Sequence, residues 1–300
     1  MVKKMQIDIL SPYGYCKGVI HAINIVKELR KNNPDTPIYI WGNLVHNNHV
    51  TDALKKLDII TIEDNLKDKT IEKLSKLKKG FFVTTAHGAN KKIVQEAEKL
   101  GFLHISATCP IVSNIERKIE KEINENKKEI IYYGIKNHPE LEAIISINSQ
   151  KIHAIYSKND LNKYNLNNMS LAVQTTVLID DLKAIKKCLP NINLINNICN
   201  ETTIRQTKLN EIKDSYYDRI IVVGDKKSNN TKELYKIANN KSKKTMFINN
   251  AEELSKEIIN QDEKILIVSG ASTPKAIVDQ IIDYVKFGIK IELDDKKILL

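Results

Sequence analysis

Three cysteines in this 300-residue chain share one local setting. Cys16 follows the run Gln6 to Leu10 and precedes Val19, Ile23 and Val26 at helical spacing. Cys109 follows Leu103 to Ile105 and precedes Ile111, Ile115, Ile119 and Ile123. Cys199 follows Ile192 to Ile195 and precedes Ile204, Leu209 and Ile212. Each therefore leaves a strand and enters a helix, and the three stand about 90 residues apart. A helix start favours thiolate over thiol, and Pro110 suits a first helical position because it has no N–H to leave unpaired.

Three thiolates give a metal centre all but one of its usual four ligands. With iron and sulfide that is a 4Fe–4S cluster with one iron open to substrate. With zinc it is a three-sulfur site completed by water. The ligands lie far apart in sequence and no Cys-x-x-Cys pair is present, which favours the cluster. The plain alternative, three unrelated buried thiols, leaves the matched spacing unexplained. Cys188 lies outside the pattern, before Leu189-Pro190, and is expected to be a buried structural thiol.

Polar residues recur at matched places too. About 25 residues past each cysteine a strand ends in glycine (Gly42, Gly134, Gly224), and four residues on stand His46, His138 and Ser228. A later strand in each copy ends near His87, Thr175 and Ser272. With Asn230, the set His46, His87, Ser228 and Ser272 offers donors suited to an anion. Helix N-termini add backbone N–H groups, so phosphate or diphosphate is the natural guest. Gly224-Asp225-Lys226-Lys227-Ser228 lacks the second glycine of a nucleotide-binding loop. Asp225, followed by Lys226 and Lys227, reads as a solvated turn. Glu140, in His138-Pro139-Glu140, enters the first turn of a helix, where it either complements the dipole or serves as the proton donor of a pocket. Gln174-Thr175-Thr176 adds hydroxyls that could orient a proton.

The elements that must position these residues alternate strand and helix throughout, which predicts parallel sheets covered by helices. Strands are expected to the last at 290–293, and helices include 17–32, 110–126 and 201–216. A repeat of about 90 residues gives an α/β fold of three pseudo-threefold lobes, a trefoil around a central cluster site. The lobes are 12–105 with Cys16, 106–196 with Cys109, and 197–293 with Cys199. Residues 1–11 add an N-terminal strand and 294–300 a loosely held tail, the whole forming one catalytic unit. In parallel sheets ligands bind beyond the carboxyl ends of strands, where all these residues fall.

Composition narrows the field. The net charge is +10, yet all but four of the 47 basic residues are lysine, interleaved with Glu and Asp. Base readers and phosphate forks prefer arginine, so no nucleic-acid partner is expected. No apolar run approaches the roughly 18 residues of a membrane helix, so no membrane partner is expected either. Four cysteines do not make a disulfide framework. The first strand begins by Gln6, which leaves no room for a leader. A cytoplasmic location follows, or a plastid-type organelle if a targeting segment has been removed.

The motifs Gly14-Tyr15-Cys16-Lys17-Gly18-Val19, Val45-His46-Asn47, Ala86-His87-Gly88, Ala107-Thr108-Cys109-Pro110, His138-Pro139-Glu140, Gln174-Thr175-Thr176, Ile198-Cys199, Ser228-Asn229-Asn230 and Gly270-Ala271-Ser272-Thr273-Pro274 occur in this order. In order and spacing the chain resembles the 4-hydroxy-3-methylbut-2-enyl diphosphate reductases, the last enzymes of the non-mevalonate isoprenoid pathway, over nearly its whole length. The resemblance implies one 4Fe–4S cluster held by Cys16, Cys109 and Cys199. It implies a diphosphate held by His46, His87, Ser228, Asn230 and Ser272, with His138, Thr175, Thr176 and Asn229 in the same binding set. It also implies that Glu140, helped by Thr175 and His138, delivers protons while a ferredoxin or flavodoxin supplies electrons. The products would be isopentenyl and dimethylallyl diphosphates. Two positions depart from the family pattern: Asn229, where serine is frequent, and Ile135, where histidine is frequent.

Two rivals remain at this stage. A lyase resembling quinolinate synthase would also use three lobes and three cysteines, but its carboxylate substrates need no diphosphate ring. A cluster-bearing sensor would leave Glu140 without a role.

Overall fold

The computed structural model describes residues 5–62, 70–254, 259–260, 262–289 and 291–300. It contains three four-stranded parallel sheets. The first runs Ile59–Ile62, Ile38–Trp41, Phe81–Thr84, Leu103–Ser106. The second runs Ile152–Ile155, Glu129–Tyr133, Met169–Val173, Asn193–Leu194. The third runs Lys244–Ile248, Arg219–Val223, Lys264–Ser269, Gln6–Ile9. Each sheet repeats one strand order, and in the third the last strand comes from the N-terminal end of the chain. The expected three α/β lobes with parallel sheets are therefore present.

By compactness the chain divides into two units. One holds residues 1–20, 46–53 and 200–300, and includes the third sheet; the other holds 21–45 and 54–199, and includes the first two.

The inner strands of each sheet form because their side chains are apolar on both faces, as parallel sheets covered on both sides require. In Glu129–Tyr133, Ile130 and Tyr132 pack with Ile115, Ile119 and Ile144, whereas Ile131 and Tyr133 pack with Val173, Leu182 and Ile185. Each such fully buried aliphatic side chain contributes roughly 1.5–3 kcal/mol. The helices supply the matching stripes: Val112, Ile115, Ile119 and Ile123 are the buried positions of Pro110–Asn124.

The repeat extends to single hydrogen bonds. The N–H groups of Gly42, Gly134 and Gly224 donate to the carbonyls of Ile62, Ile155 and Ile248 at 2.9, 3.1 and 2.9 Å. The N–H groups of Cys16, Cys109 and Cys199 donate to Ala271, Ala86 and Thr175 at 2.9, 3.0 and 3.1 Å. Each acceptor stands two residues beyond the end of its lobe's third strand.

Several expectations change. The helix expected over 201–216 spans Asn200–Asn210, because Lys213-Asp214-Ser215 turns the chain and Ser215 takes φ 58°. No strand occurs at 291–293; Lys290 lies outside the described residues. The tail is docked rather than loose. Asp294 caps a short helix, Asp295–Ile298, Ile298 and Leu299 are buried, and the Tyr15 hydroxyl donates to the Ile298 carbonyl at 2.7 Å. Cys188 is exposed at its helix end, not buried. Among the described residues no helix is long and apolar enough to cross a membrane.

Candidate active site

In the larger unit the chemistry converges on Glu140. Pro139 opens the helix Pro139–Ile147, and the His138 side chain caps it, Nδ1 accepting from the Glu140 N–H at 3.1 Å. The Glu140 side chain is buried at 1% exposure. Its Oε1 accepts from the Thr175 N–H at 2.9 Å and from the Tyr132 hydroxyl at 3.1 Å; its Oε2 accepts from the Thr175 hydroxyl at 2.7 Å. Burial pushes the carboxyl above its ordinary range, while the Thr175 and Tyr132 bonds pull it down. A carboxyl raised by burial yet held by several donors fits a proton donor better than a helix-dipole partner. The same surroundings push the Tyr132 phenol far up, through burial first and the Glu140 charge second.

Gln174, fully buried, fixes the backbone around this group. Its Oε1 accepts from the Ile135 N–H at 2.8 Å and its Nε2 donates to the Thr176 hydroxyl at 3.1 Å. The His87 and His138 rings meet edge to face at 5.2 Å. His87 sits in a tight turn closed by Gly88 at φ 84°. That left-handed φ is one L side chains rarely adopt, and a Cβ there would also meet Ala143 Cβ at 3.1 Å, so glycine is favoured.

Cys109 heads the helix Pro110–Asn124 without capping it through its side chain. The expected thiolate bias does not win. Burial pushes the Cys109 thiol up, the N–H groups of Ile111 and Val112 pull it down, and the charges of Cys199 and Glu140 push it up further. Cys109 and Cys199 thus lie within one another's field. Two half-buried sulfurs that resist joint ionisation are suited to a cationic centre, which removes both protons and offsets both charges. On that ground the thiols of Cys109 and Cys199 fit a metal centre.

In the other unit, Cys16 is reached through a braced loop. Gly14, at φ 80°, donates its N–H to the Ser269 hydroxyl at 2.9 Å, and its carbonyl accepts from the buried Arg205 guanidinium at 3.0 Å. His46, Ser228, Asn230 and Ser272 fall on three neighbouring loops of this unit. The Ser272 hydroxyl donates to the His46 carbonyl at 3.0 Å. Ser228 caps the helix Asn229–Lys241, its side chain accepting from Thr231 N–H. Asn229 and Asn230 are buried in the first turn, and neither amide atom of Asn230 has a partner within the protein. A buried amide without a partner is costly, and a phosphate oxygen is a suitable acceptor for it. Burial pushes the His46 imidazole below its ordinary value, Asp225 opposes that, and Lys232 and Lys227 reinforce it.

Asp225 corrects the sequence reading. It is buried at 5% exposure, not solvated. Tyr132 and Arg205 were also missed; the signal for Tyr132 was a phenol inside the run Ile130 to Tyr133, which must find a partner.

A family model described as "LytB protein" matches residues 7–286. The chain is 33% identical over 290 residues to a 4-hydroxy-3-methylbut-2-enyl diphosphate reductase of Geobacillus thermodenitrificans, covering 94% of this chain and 90% of the relative. It is 35% identical to the protein of that name from Lysinibacillus sphaericus, covering 93% and 88%. The solved structure of the E-1-hydroxy-2-methyl-but-2-enyl-4-diphosphate reductase from Plasmodium falciparum superposes with a TM-score of 0.82 at 32% identity, covering 94% of this chain and 87% of that one. A second solved reductase, 24% identical with a TM-score of 0.65, covers 94% of this chain and 99% of its own, and shares the fold.

Proposed function

The chain belongs to the LytB family, and from that membership we propose that it reduces (E)-4-hydroxy-3-methylbut-2-enyl diphosphate to isopentenyl and dimethylallyl diphosphates. The observation that carries this reading is the Glu140 carboxyl, buried and bonded twice by Thr175, in the unit where Cys109 and Cys199 share one field. A sensor needs no such proton donor, and a lyase acting on carboxylates needs no donor set like that of Ser228, Asn230 and Ser272.

Cys16, Cys109 and Cys199 would hold a 4Fe–4S cluster through three thiolates. Such a cluster would pass on, one at a time, the two electrons that the donor delivers, and would offer the substrate an open iron. The chain's own residues do the rest. His46, His87, Ser228, Asn230 and Ser272 bind the diphosphate, with Asn229 at the same helix start. Glu140 holds a proton at its carboxyl and gives it to the departing hydroxyl, which leaves as water. Thr175 orients that carboxyl and His138 fixes its helix, while Thr176, whose hydroxyl accepts from Gln174, joins the substrate-binding set. A second proton, taken at either end of the allylic system, yields the two products. A ferredoxin or flavodoxin is the electron donor, and the setting is cytoplasmic or a plastid-type organelle.

The test is anaerobic incubation of the purified, iron-loaded protein with the diphosphate substrate and a reduced low-potential dye. Both five-carbon diphosphates are expected. Protein with a full iron complement that leaves the substrate untouched overturns the reading, and so does a colourless zinc protein.

A further inference from the structure

One buried acid lies among the residues assigned to the diphosphate and is not used in the chemistry above. Asp225 follows Gly224 at the end of the strand Arg219–Val223. Its Oδ2 accepts from the Asn48 N–H at 3.0 Å and its Oδ1 from the Lys227 N–H at 2.7 Å. Its carbonyl accepts from the Ser228 N–H at 2.9 Å. The same 46–48 loop is held from the other side by the Ser272 hydroxyl on the His46 carbonyl. One aspartate thus ties the loop carrying His46 to the loop carrying Ser228 and Asn230.

Charge makes this placement informative. A carboxylate beside a diphosphate repels it, so an acid serving no purpose there would weaken binding. Both Asp225 oxygens, however, face backbone N–H groups, which fixes loop geometry rather than meeting a ligand. Asp225 also opposes the effect of burial on His46, against Lys227 and Lys232.

We propose that Asp225 is a positioning residue for diphosphate binding, holding His46 in register with the Ser228–Asn230 helix start. This rests on the diphosphate reading above. Its gain in loop order exceeds its repulsion of the ligand, as expected where misplacing a binding group by about 1 Å is costly.

The sign of one substitution decides it. In the iron-loaded enzyme, Asp225→Asn keeps the shape, removes the charge and sets an amide N–H against a backbone N–H. We expect KM for the diphosphate substrate and the inhibition constant of inorganic pyrophosphate both to rise about tenfold, with kcat within about twofold, the pattern of lost uniform binding. An unchanged or lowered KM overturns the proposal, because relief of repulsion would then dominate. A second variant separates geometry from charge. Asn48 is the first helical residue of Asn48–Lys55, where proline is tolerated, so Asn48→Pro deletes the donor and leaves the Asp225 charge. The same rise in KM is expected, and a wild-type KM in Asn48→Pro overturns the role even if Asp225→Asn does not fold. Wild-type enzyme that neither turns over the substrate nor responds to pyrophosphate defeats the diphosphate reading itself, and this role with it.

Discussion

Thr175 holds Glu140 by both of its donors, the backbone N–H at 2.9 Å on Oε1 and the hydroxyl at 2.7 Å on Oε2. The two residues come from different elements of one lobe, the end of the strand Met169–Val173 and the start of the helix Pro139–Ile147. Each bond favours the ionised carboxyl, while burial favours the neutral one and prevails. A group so balanced can give up a proton and still be held in place.

Glu140→Gln preserves the size and most contacts of the side chain but carries no acidic proton. Iron content and substrate KM should match wild type, while kcat falls by about 10²–10⁴, the usual worth of a positioned acid. A variant retaining more than a tenth of the wild-type kcat would show that protons arrive by another route.

Thr175→Val removes the hydroxyl bond and keeps the backbone bond. The lost bond stabilised the carboxylate, so the Glu140 carboxyl rises further. On the proposed role Glu140 acts while protonated, so rate is lost as pH rises through its titration. The alkaline limb of kcat against pH should therefore move to higher pH in Thr175→Val and stay in place in Thr175→Ser. A shift to lower pH would contradict the roles assigned to this pair.

Replacing Cys16, Cys109 or Cys199 by serine should abolish both turnover and stable iron retention, because a cluster held by three thiolates loses a third of its protein ligands. Cys188→Ser should leave iron per chain and kcat unchanged, since Cys188 is exposed at a helix end. Iron analysis of the anaerobically purified variants checks both. Loss of iron in Cys188→Ser would refute the ligand assignment.

The lobes were legible in the sequence because parallel strands buried on both faces are written as unbroken apolar runs, such as Ile220 to Val223 and Ile265 to Val268. The strand-to-helix placement of the cysteines and of the polar strand ends was legible because a repeat exposes positions whose context recurs. What escaped was set by contacts between segments distant in sequence. Asp225 looked solvated beside Lys226 and Lys227, and only the approach of Asn48 buries it. The tail looked unpatterned, but the Tyr15 hydroxyl and the burial of Ile298 hold it. Cys109 misled for the opposite reason: its helix-start geometry was read correctly, and burial with two acidic neighbours outweighed it.

Glu116, behind Gly88, gives a stability prediction independent of turnover. Burial raises its carboxyl from 4.5 to about 7; Lys91 opposes the shift, and Glu120 and Glu140 add to it. Below pH 4.5 both folded and unfolded chains hold the proton, and the shift costs nothing. Between about 4.5 and 7 the folded protein retains a proton that the unfolded chain has released, so the cost grows with pH and levels off above 7. At about 1.36 kcal/mol per pKa unit the full shift is worth about 3 kcal/mol, and partial exposure of the side chain reduces that to about 1–2 kcal/mol. Glu116→Gln cannot ionise, so its advantage over wild type should be absent near pH 4 and full at pH 8. Thermal unfolding of the two proteins at both pH values should show equal Tm at the lower and a Tm a few degrees higher for the variant at the upper. A Tm difference independent of pH would mean that Glu116 ionises in the folded protein much as it does in water.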